Sequence, residues 1–482
     1  HFPPDKSALE AARRRLIFDE LLLLQLGLLQ MKGRTETRRT ACVLTKDYSA
    51  EFSALLPFQL TGAQRRAVQE AIRDMQSGEP MNRLLQGDVG SGKTAVAAAL
   101  VYSAAKNGLQ SAMMAPTEVL AEQHYRTFQK FFQNTDFSVV LLTGSMRAAE
   151  KRAAKEKLQS GEAVLAVGTH ALIQEDVDFR RLGLCITDEQ HRFGVAQRAN
   201  LTDKGDNPHI LVMSATPIPR TLGLILYGDL NVSVLDELPP GRQIIETYRV
   251  GTSYRPRIYK FIEKHIEKGL QAYIVCPLVE EGETDLAPAE KYCARLQNGV
   301  FHHRRVGLLH GRMKPKEKEA VMRAFSDGEM DVLVSTVVVE VGVDVPNAAV
   351  MVIENAERFG LSQLHQLRGR VGRGKEKSTC ILVSDAQNEE AKARFQILCE
   401  TTDGFKIADA DLKLRGPGDF FGTRQHGLPA LRISDLLRDT KMLETVQAEA
   451  QRLLRADPDL NSPEYAALHR QLEKMFAAAN IG

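Results

Sequence analysis

The stretch Gly87-Asp88-Val89-Gly90-Ser91-Gly92-Lys93-Thr94 constrains the fold on both sides of it. It fits G-x-x-x-x-G-K-[ST], a loop that wraps a phosphate with backbone N–H groups. Glycine at the turns avoids Cβ clashes and permits positive φ. Such a loop works between a strand and a helix, because the helix N-terminus then also faces the anion. Arg83-Leu84-Leu85-Gln86 supplies the strand, and the Ala-rich run from Ala95 to Lys106 supplies the helix. Lys93 is then placed to reach the β- and γ-phosphates of ATP, and Thr94 to ligate Mg2+.

The pattern around this unit repeats. Short apolar runs end in polar motifs: Ala112 to Ala115 runs into Pro116-Thr117, Val164 to Val167 into Gly168-Thr169-His170, Leu184 to Thr187 into Asp188-Glu189, and Ile210 to Met213 into Ser214-Ala215-Thr216. Helical stretches lie between them. Continuous apolar strands alternating with helices predict a parallel sheet buried on both faces. Leu235 to Gly241, with its Pro-Pro-Gly, reads as a linker. A second series follows at Ala272 to Val275, Val306 to Leu309, Val332 to Ser335, Val350 to Ile353 and Cys380 to Val383. The expected division is a helical linker at 1–55, a first α/β lobe at 56–238, a second at 239–386 and a helical extension at 387–482. Residues 5–32 read as one leucine-rich helix with Gly33 as its stop.

Lys+Arg 63 against Asp+Glu 61 leaves a net charge of +2, so a polyanion-binding surface has to be local. The six cysteines form no CxxC pair, which points to small buried residues in a reducing compartment. No apolar run is long enough to span a bilayer. Leu16 to Leu29, after Arg13-Arg14-Arg15, mimics a signal peptide, but Asp19, Glu20 and Gln25 interrupt it. The chain begins with His1 rather than Met, which reads as a longer protein with its N-terminus removed.

Asp188 and Glu189 follow a strand downstream of the phosphate loop. A carboxylate there can hold the metal's water shell and a second can position the attacking water, so Asp188 is assigned to the metal and Glu189 to water activation. Far downstream, Gln366, Arg370 and Arg373 stand at i, i+4 and i+7, one face if helical. Guanidinium groups there suit the γ-phosphate, where charge builds in phosphoryl transfer. The alternative is a solvated basic surface. If both ends touch one nucleotide, two lobes must close on it.

Other candidates are less specific. The Gln64 amide can pair with an adenine edge and Phe58 can stack on the base; polar surface is the alternative. Thr336, Glu340, Gly342 and Asp344 lie after a second-lobe strand, where Gly342 and Asp344 suit the nucleotide pocket; turn residues are the alternative. Ser214 and Thr216 suit hydrogen bonding between sites. Thr117, Gly144, Thr169 and Arg312 sit on short polar tips fit for a nucleic-acid backbone, which carries little sequence information.

With these motifs in order, the chain resembles superfamily 2 helicases. Asp188-Glu189-Gln190-His191-Arg192-Phe193-Gly194-Val195, the segment from Thr336 to Pro346, and the run Arg415-Gly416-Pro417-Gly418-Asp419-Phe420-Phe421-Gly422-Thr423-Arg424-Gln425-His426-Gly427 resemble the RecG family of bacterial DNA helicases. The resemblance covers nearly the whole chain. The transcription-repair coupling factor shares several motifs but usually has Asp-Glu-Glu-His where this chain has Asp188-Glu189-Gln190-His191. The resemblance implies two RecA-like parallel-sheet lobes in tandem, between an N-terminal linker helix and a C-terminal helical extension. It implies ATP-driven translocation on duplex DNA that remodels stalled forks and branched recombination intermediates, in the bacterial cytoplasm, by a monomer, with single-stranded DNA-binding protein as a candidate partner. The family's adenine-recognising glutamine falls on Gln64, its P-loop lysine on Lys93, its carboxylates on Asp188 and Glu189, and its arginine fingers on Arg370 and Arg373. Arg415, Arg424 and Gln425 fall in the run that couples hydrolysis to movement. The family's OB-fold wedge precedes the linker, and nothing here resembles it; the expectation is a motor without most of its fork reader. Two rivals are another duplex translocase and an ATP-gated clamp that does not turn over, against which Glu189, Arg370 and Arg373 argue.

Overall fold

A computed structural model describes residues 5–36, 39–188, 201–214, 230–239, 244–277, 287–336, 345–374, 376–415, 431–434 and 439–477. The chain opens with α1 (Lys6–Glu36), α2 (Ser49–Leu55) and α3 (Gly62–Gln76). Then come β1 (Asn82–Gly87), α4 (Lys93–Lys106), β2 (Gln110–Met114), α5 (Glu118–Phe131), β3 (Ser138–Leu142) and α6 (Ala148–Ser160). The first lobe ends with β4 (Ala163–Gly168), β5 (Leu182–Asp188), β6 (His209–Ser214) and β7 (Asn231–Leu235). The second lobe holds β8 (Glu246–Val250), α7 (Arg255–Ile266), β9 (Gln271–Val275), α8 (Ala287–Asn298), β10 (Val306–Leu309) and α9 (Pro315–Ser326). It continues through β11 (Val332–Ser335), β12 (Ala348–Ile353), α10 (Leu361–Arg368) and β13 (Thr379–Val383). The tail carries α11 (Glu389–Glu400), α12 (Gly404–Arg415), α13 (Thr440–Ala456) and α14 (Ala466–Ala477).

The apolar runs became strands because burial on both faces rewards them; β2, β9 and β12 are buried along their whole length. One sheet has the order β3-β4-β2-β5-β6-β1-β7 and the other β10-β11-β9-β12-β13-β8. Every pairing is parallel. Among the described residues the second order is the first with β8 in the place of β1 and no counterpart of β7, so the lobes are two versions of one architecture. Small details repeat as well. Gln110, opening β2, donates through Nε2 to Leu158 O at 2.9 Å and Ala163 O at 2.7 Å. Gln271, opening β9, donates to Phe325 O and Met330 O, both at 2.7 Å. All C-terminal strand ends of a parallel sheet share one edge, which is where ligands of open α/β sheets bind.

The expected N-terminal linker is divided between two bodies. Leu21, Leu24 and Leu26 of α1 share one apolar core with Leu412, Leu443, Val446 and Leu472 of the tail. Cys42, Leu44 and Phe52 instead enter the first lobe's core. Gly33 does not stop α1, which runs to Glu36; an interior glycine costs a helix only about 1 kcal/mol, too little to end it. The Glu20 carboxylate accepts the N–H groups of Arg432, Ile433 and Ser434. Burial pushes its pKa up, but those donors and the Ser434 hydroxyl outweigh it and leave the pKa low.

Gly27 stands in the middle of α1, where alanine suits a helix better by about 1 kcal/mol. A Cβ at Gly27 would lie 2.1 Å from Cε2 of Phe476 on α14, so the bare backbone is what lets the ring seat. Gly27→Ala is therefore expected to destabilise by about 1–3 kcal/mol, the usual cost of overpacking. Denaturant unfolding checks this, and Phe476→Ala in the same chain should relieve most of the loss; a stabilised Gly27→Ala variant would refute the packing argument.

Candidate nucleotide site and nucleic-acid-facing edge

Strand β1 ends at Gly87 and α4 begins at Lys93, so the phosphate loop is the connection between them. Gly92 caps α4 in the left-handed region at φ 82. A Cβ there would meet Gln64 Nε2 at 2.2 Å, so glycine is required by conformation and by space. Lys93 Nζ donates to Gly87 O at 2.8 Å and Asp88 O at 3.0 Å, folded back over its own loop. Gln64 is buried at 2% exposure. Its Nε2 donates to Ser91 O at 2.8 Å, and its Oε1 accepts the Thr61 N–H at 2.9 Å while Thr61 Oγ1 accepts the Gln64 N–H. Gln64 thus closes the capping box of α3 and braces the phosphate loop from behind. Phe58 is 42% exposed, with its ring 6.3 Å from that of Phe131.

The second lobe meets this loop directly. His365 of α10 bonds Asp88 Oδ1 through Nε2 at 2.7 Å. Its Nδ1 accepts from Arg368 Nη2 at 2.9 Å. Arginine only donates, so Nδ1 carries no proton and Nε2–H is the donor to Asp88. Arg368 Nη1 donates to Leu398 O at 2.7 Å and Thr401 O at 2.9 Å, at the end of α11. Burial pulls the Arg368 pKa down, and those carbonyls answer the desolvation of its charge. Beside this chain, a Cβ at Gly369 would lie 3.1 Å from the Cβ of Val89, so loop and helix end are in contact.

The reading of Gln366, Arg370 and Arg373 as one helix face does not hold. Helix α10 ends at Arg368, leaving only Gln366 on it. Gly369 and Gly372 interrupt the helix, and Gly372 takes φ 82, a conformation no α-helix contains. Arg370 is buried, and Arg373 donates through Nε to Gly369 O at 3.4 Å. The two arginines therefore sit on the turn beyond α10, beside the phosphate loop.

Asp188 ends β5 at the same sheet edge as Gly87. It pairs in register with Met213, which pairs with Leu85. Two strand spacings separate it from β1, roughly 10 Å. Its Oδ2 lies 2.8 Å from Nε2 of buried His124 on α5. Ser214, in register with Gln86, is buried between these strands.

The polar tips are built alike in the two lobes. Leu141-Leu142-Thr143-Gly144-Ser145-Met146 runs on to Glu150-Lys151, and Leu308-Leu309-His310-Gly311-Arg312-Met313 runs on to Glu317-Lys318. Lys151 Nζ holds Gly144 O at 2.7 Å, and Lys318 Nζ holds Gly311 O at 2.5 Å. Glu150 and Glu317 accept the backbone N–H groups of Arg147 and Lys314 at 3.1 and 3.0 Å. One strand over, Thr169 N donates to Leu142 O at 3.3 Å and Thr336 N to Leu309 O at 3.1 Å. The Thr169 and Thr336 hydroxyls are buried with no hydrogen-bond partner among the described residues. Arg312 is exposed. Thr117 caps α5 by accepting the Leu120 N–H at 3.3 Å, and Glu118 bonds Ser145, joining two of the tips.

Glu189, Thr216, Glu340, Gly342, Asp344, Arg424 and Gln425 lie outside the described residues, and Arg415 is described only as the last residue of α12. Sequence reasoning missed His124, His365 and Arg368, whose partners are remote in the chain. It also missed Lys151 and Lys318, which the L-L-x-G-x-M repeat would have disclosed.

Three family profiles tile the chain: DEAD/DEAH box helicase at residues 61–225, helicase conserved C-terminal domain at 255–375, and ATP-dependent DNA helicase RecG, domain 3, C-terminal at 401–481. ATP-dependent DNA helicase RecG of Synechocystis is 50% identical over 465 residues, 96% of this chain and 56% of that protein. The Bacillus subtilis RecG is 49% identical over 478 residues, 98% of this chain and 70% of that protein. A structure of RecG bound to a three-way DNA junction matches with a TM-score of 0.77 and 47% identity, over 92% of this chain and 58% of that one. The chain thus spans between about half and 70% of these relatives. Among the described residues no helix is long and apolar enough to cross a membrane. With the paired sheets, the phosphate loop and these identities in agreement, the chain belongs to the RecG family of ATP-dependent DNA helicases.

Proposed function

We propose that this chain is an ATP-driven motor on duplex DNA that remodels stalled replication forks and branched recombination intermediates, by fork reversal and Holliday junction branch migration, in the bacterial cytoplasm and as a monomer. One observation carries the reading: the phosphate loop of the first lobe touches the α10 end of the second through Asp88–His365 and Val89–Gly369. ATP bound at that seam would be gripped by both lobes, so its hydrolysis would be felt as relative movement. The junction bound to the RecG relative supports branched DNA as the substrate.

In this reading Lys93 leaves its loop carbonyls for the β- and γ-phosphates, and the loop N–H groups hold the rest. Arg370 and Arg373 offset charge on the transferred phosphoryl group, and Glu189 orients the attacking water. Phe58 stacks on the base, and Gln64 would reach its edge only by turning its amide from the Thr61 N–H and Ser91 O; Gln366, Gly342 and Asp344 complete the pocket. Thr94 and Asp188 offer hydroxyl and carboxylate oxygens, hard donors that fit Mg2+ held through one or two protein groups and the phosphates. Bound there, Mg2+ would neutralise phosphate charge. The tips at Thr117, Gly144, Thr169, Arg312 and Thr336 grip the DNA backbone: exposed glycine turns and orphan hydroxyls in matched pairs suit two successive phosphate contacts, one per lobe. Ser214 and Thr216 link the two sites, and Arg415, Arg424 and Gln425 pass closure to the duplex.

Steady-state ATPase with fork, duplex and single-stranded DNA in parallel tests the motor. Stimulation by duplex or fork is expected, and its absence would refute the reading. Lys93→Ala should lower turnover by about a hundredfold or more, the scale of losing one preorganised charge-stabilising donor. Glu189→Gln should bind ATP normally and hydrolyse it at least about a hundredfold more slowly; wild-type turnover would remove Glu189 from its role. Arg312→Ala should weaken duplex binding equally for all sequences and lower the slope of log affinity against log salt by about 1. An unchanged slope in a salt titration would mean that Arg312 touches no phosphate.

A further inference from the structure

Helix α5 joins three places that have no other reason to share an element. Its cap, Thr117, and its first residue, Glu118, belong to the polar tips of the first lobe. Its outer face meets the second lobe: Val119 packs on that lobe's apolar core, and Glu122 accepts from Arg323 Nη2 of α9 at 3.0 and 3.2 Å. Its inner face places His124 on Asp188 at 2.8 Å, with side-chain exposures of 7% and 14%. The contact with α9 is finely balanced. Glu319 of α9 has its pKa raised by burial and by the nearby Glu118 and Glu122, and Arg323 opposes the shift. Across the α5–α9 seam Arg323 thus faces the carboxylates of Glu118, Glu122 and Glu319, with Arg126 also 3.9 Å from Glu122 and the Glu118 N–H donating to Glu319.

A carboxylate on a strand end rotates freely about its last torsion unless something fixes it. His124 Nε2–H supplies that restraint, and groups that orient a ligand from behind matter to it nearly as much as the ligand itself. We propose that His124 is a positioning residue that fixes the Asp188 carboxylate for the metal side of the nucleotide site, and that α5 makes this restraint depend on the contact with the second lobe. Closure of the lobes then readies Asp188 through a rigid helix rather than through the nucleotide. The inference rests on the reading of Asp188 as the metal-side carboxylate.

The test titrates Mg2+ into the full 482-residue chain with a fluorescent non-hydrolysable ATP analogue, and reads binding rather than turnover. His124→Ala should raise the Mg2+ half-point about tenfold and leave Mg2+-free binding of the analogue unchanged. His124→Gln, whose Nε2–H reaches as far as the imidazole Nε2–H, should restore most of the loss; His124→Asn, too short, should not. Arg323→Ala should raise the half-point in the otherwise native chain and add nothing in the His124→Ala chain; additive effects would overturn the transmission through α5. Asp188→Asn separates the two claims: if it leaves the half-point unchanged, the metal-side reading fails. If it shifts the half-point and His124→Ala does not, only the present inference fails. Melting temperatures are followed in parallel. Should His124→Ala not fold, equal half-points for the Gln and Asn variants would overturn the proposal.

Discussion

The arrangement depends on a short chain of hydrogen bonds that crosses the cleft: Asp88 to His365, His365 to Arg368, Arg368 to the carbonyls of Leu398 and Thr401. Each link sets the next. The buried guanidinium can only donate, so it fixes the imidazole tautomer; the tautomer leaves one N–H, which goes to Asp88. The Asp88 carboxylate also accepts the Val89 N–H at 2.6 Å, inside the phosphate loop itself. A shift of the loop is therefore a shift at the end of α11, in the helical tail. In a buried setting such bonds are expensive to leave unmade, so loop, α10 and tail move together or exchange partners together.

Around that chain the molecule is one architecture used twice. The same strand order, the same glutamine at the head of β2 and β9, and the same Gly–Lys lock after β3 and β10 occur in both lobes. What differs is the strand that carries the phosphate loop. In the first lobe β1 lies inside the sheet, flanked by β6 and β7, and it is buried. Its counterpart β8 is an edge strand, paired only with β13 among the described residues and partly exposed to solvent. The second lobe instead meets the phosphate loop from α10 and the turn after it.

Much of this was legible in the sequence, for a specific reason. Strands buried on both faces must be continuously apolar, so β1, β2, β4, β5, β6, β9 and β11 to β13 were found within a residue or two, and half-buried β10 was found because Val306 to Leu309 is apolar throughout. The strands missed are three of the four sheet margins: β3, β7 and β8 each have a face or an edge in partial contact with solvent, and Asn231 to Leu235 and Glu246 to Val250 mix polar with apolar residues. The arginine fork was found by composition and misread by geometry, because i, i+4 and i+7 spacing is silent on where a helix stops. His124 and His365 had no local signature at all. A buried histidine looks the same in sequence whether it faces a carboxylate or a carbonyl, and its partner is decided by the fold.

The Lys93 ammonium sits beside the residue through which the lobes touch. Its ammonium is already satisfied by Gly87 O and Asp88 O, and Asp88 O also receives the Ser91 N–H at 3.1 Å, a turn that shapes the loop. Moving Lys93 to a phosphate would exchange two bonds to neutral carbonyls for contact with an anion, a gain only while the site is dry enough for the second charge to count. Gln64 holds the loop's far side on Ser91 O, and Lys93 lies on the side next to Asp88. The same Asp88 holds His365. Drawing Lys93 away therefore changes the electrostatic surroundings of the carboxylate that the second lobe grips. A nucleotide that drew Lys93 from its loop carbonyls would therefore also act on the inter-lobe bond.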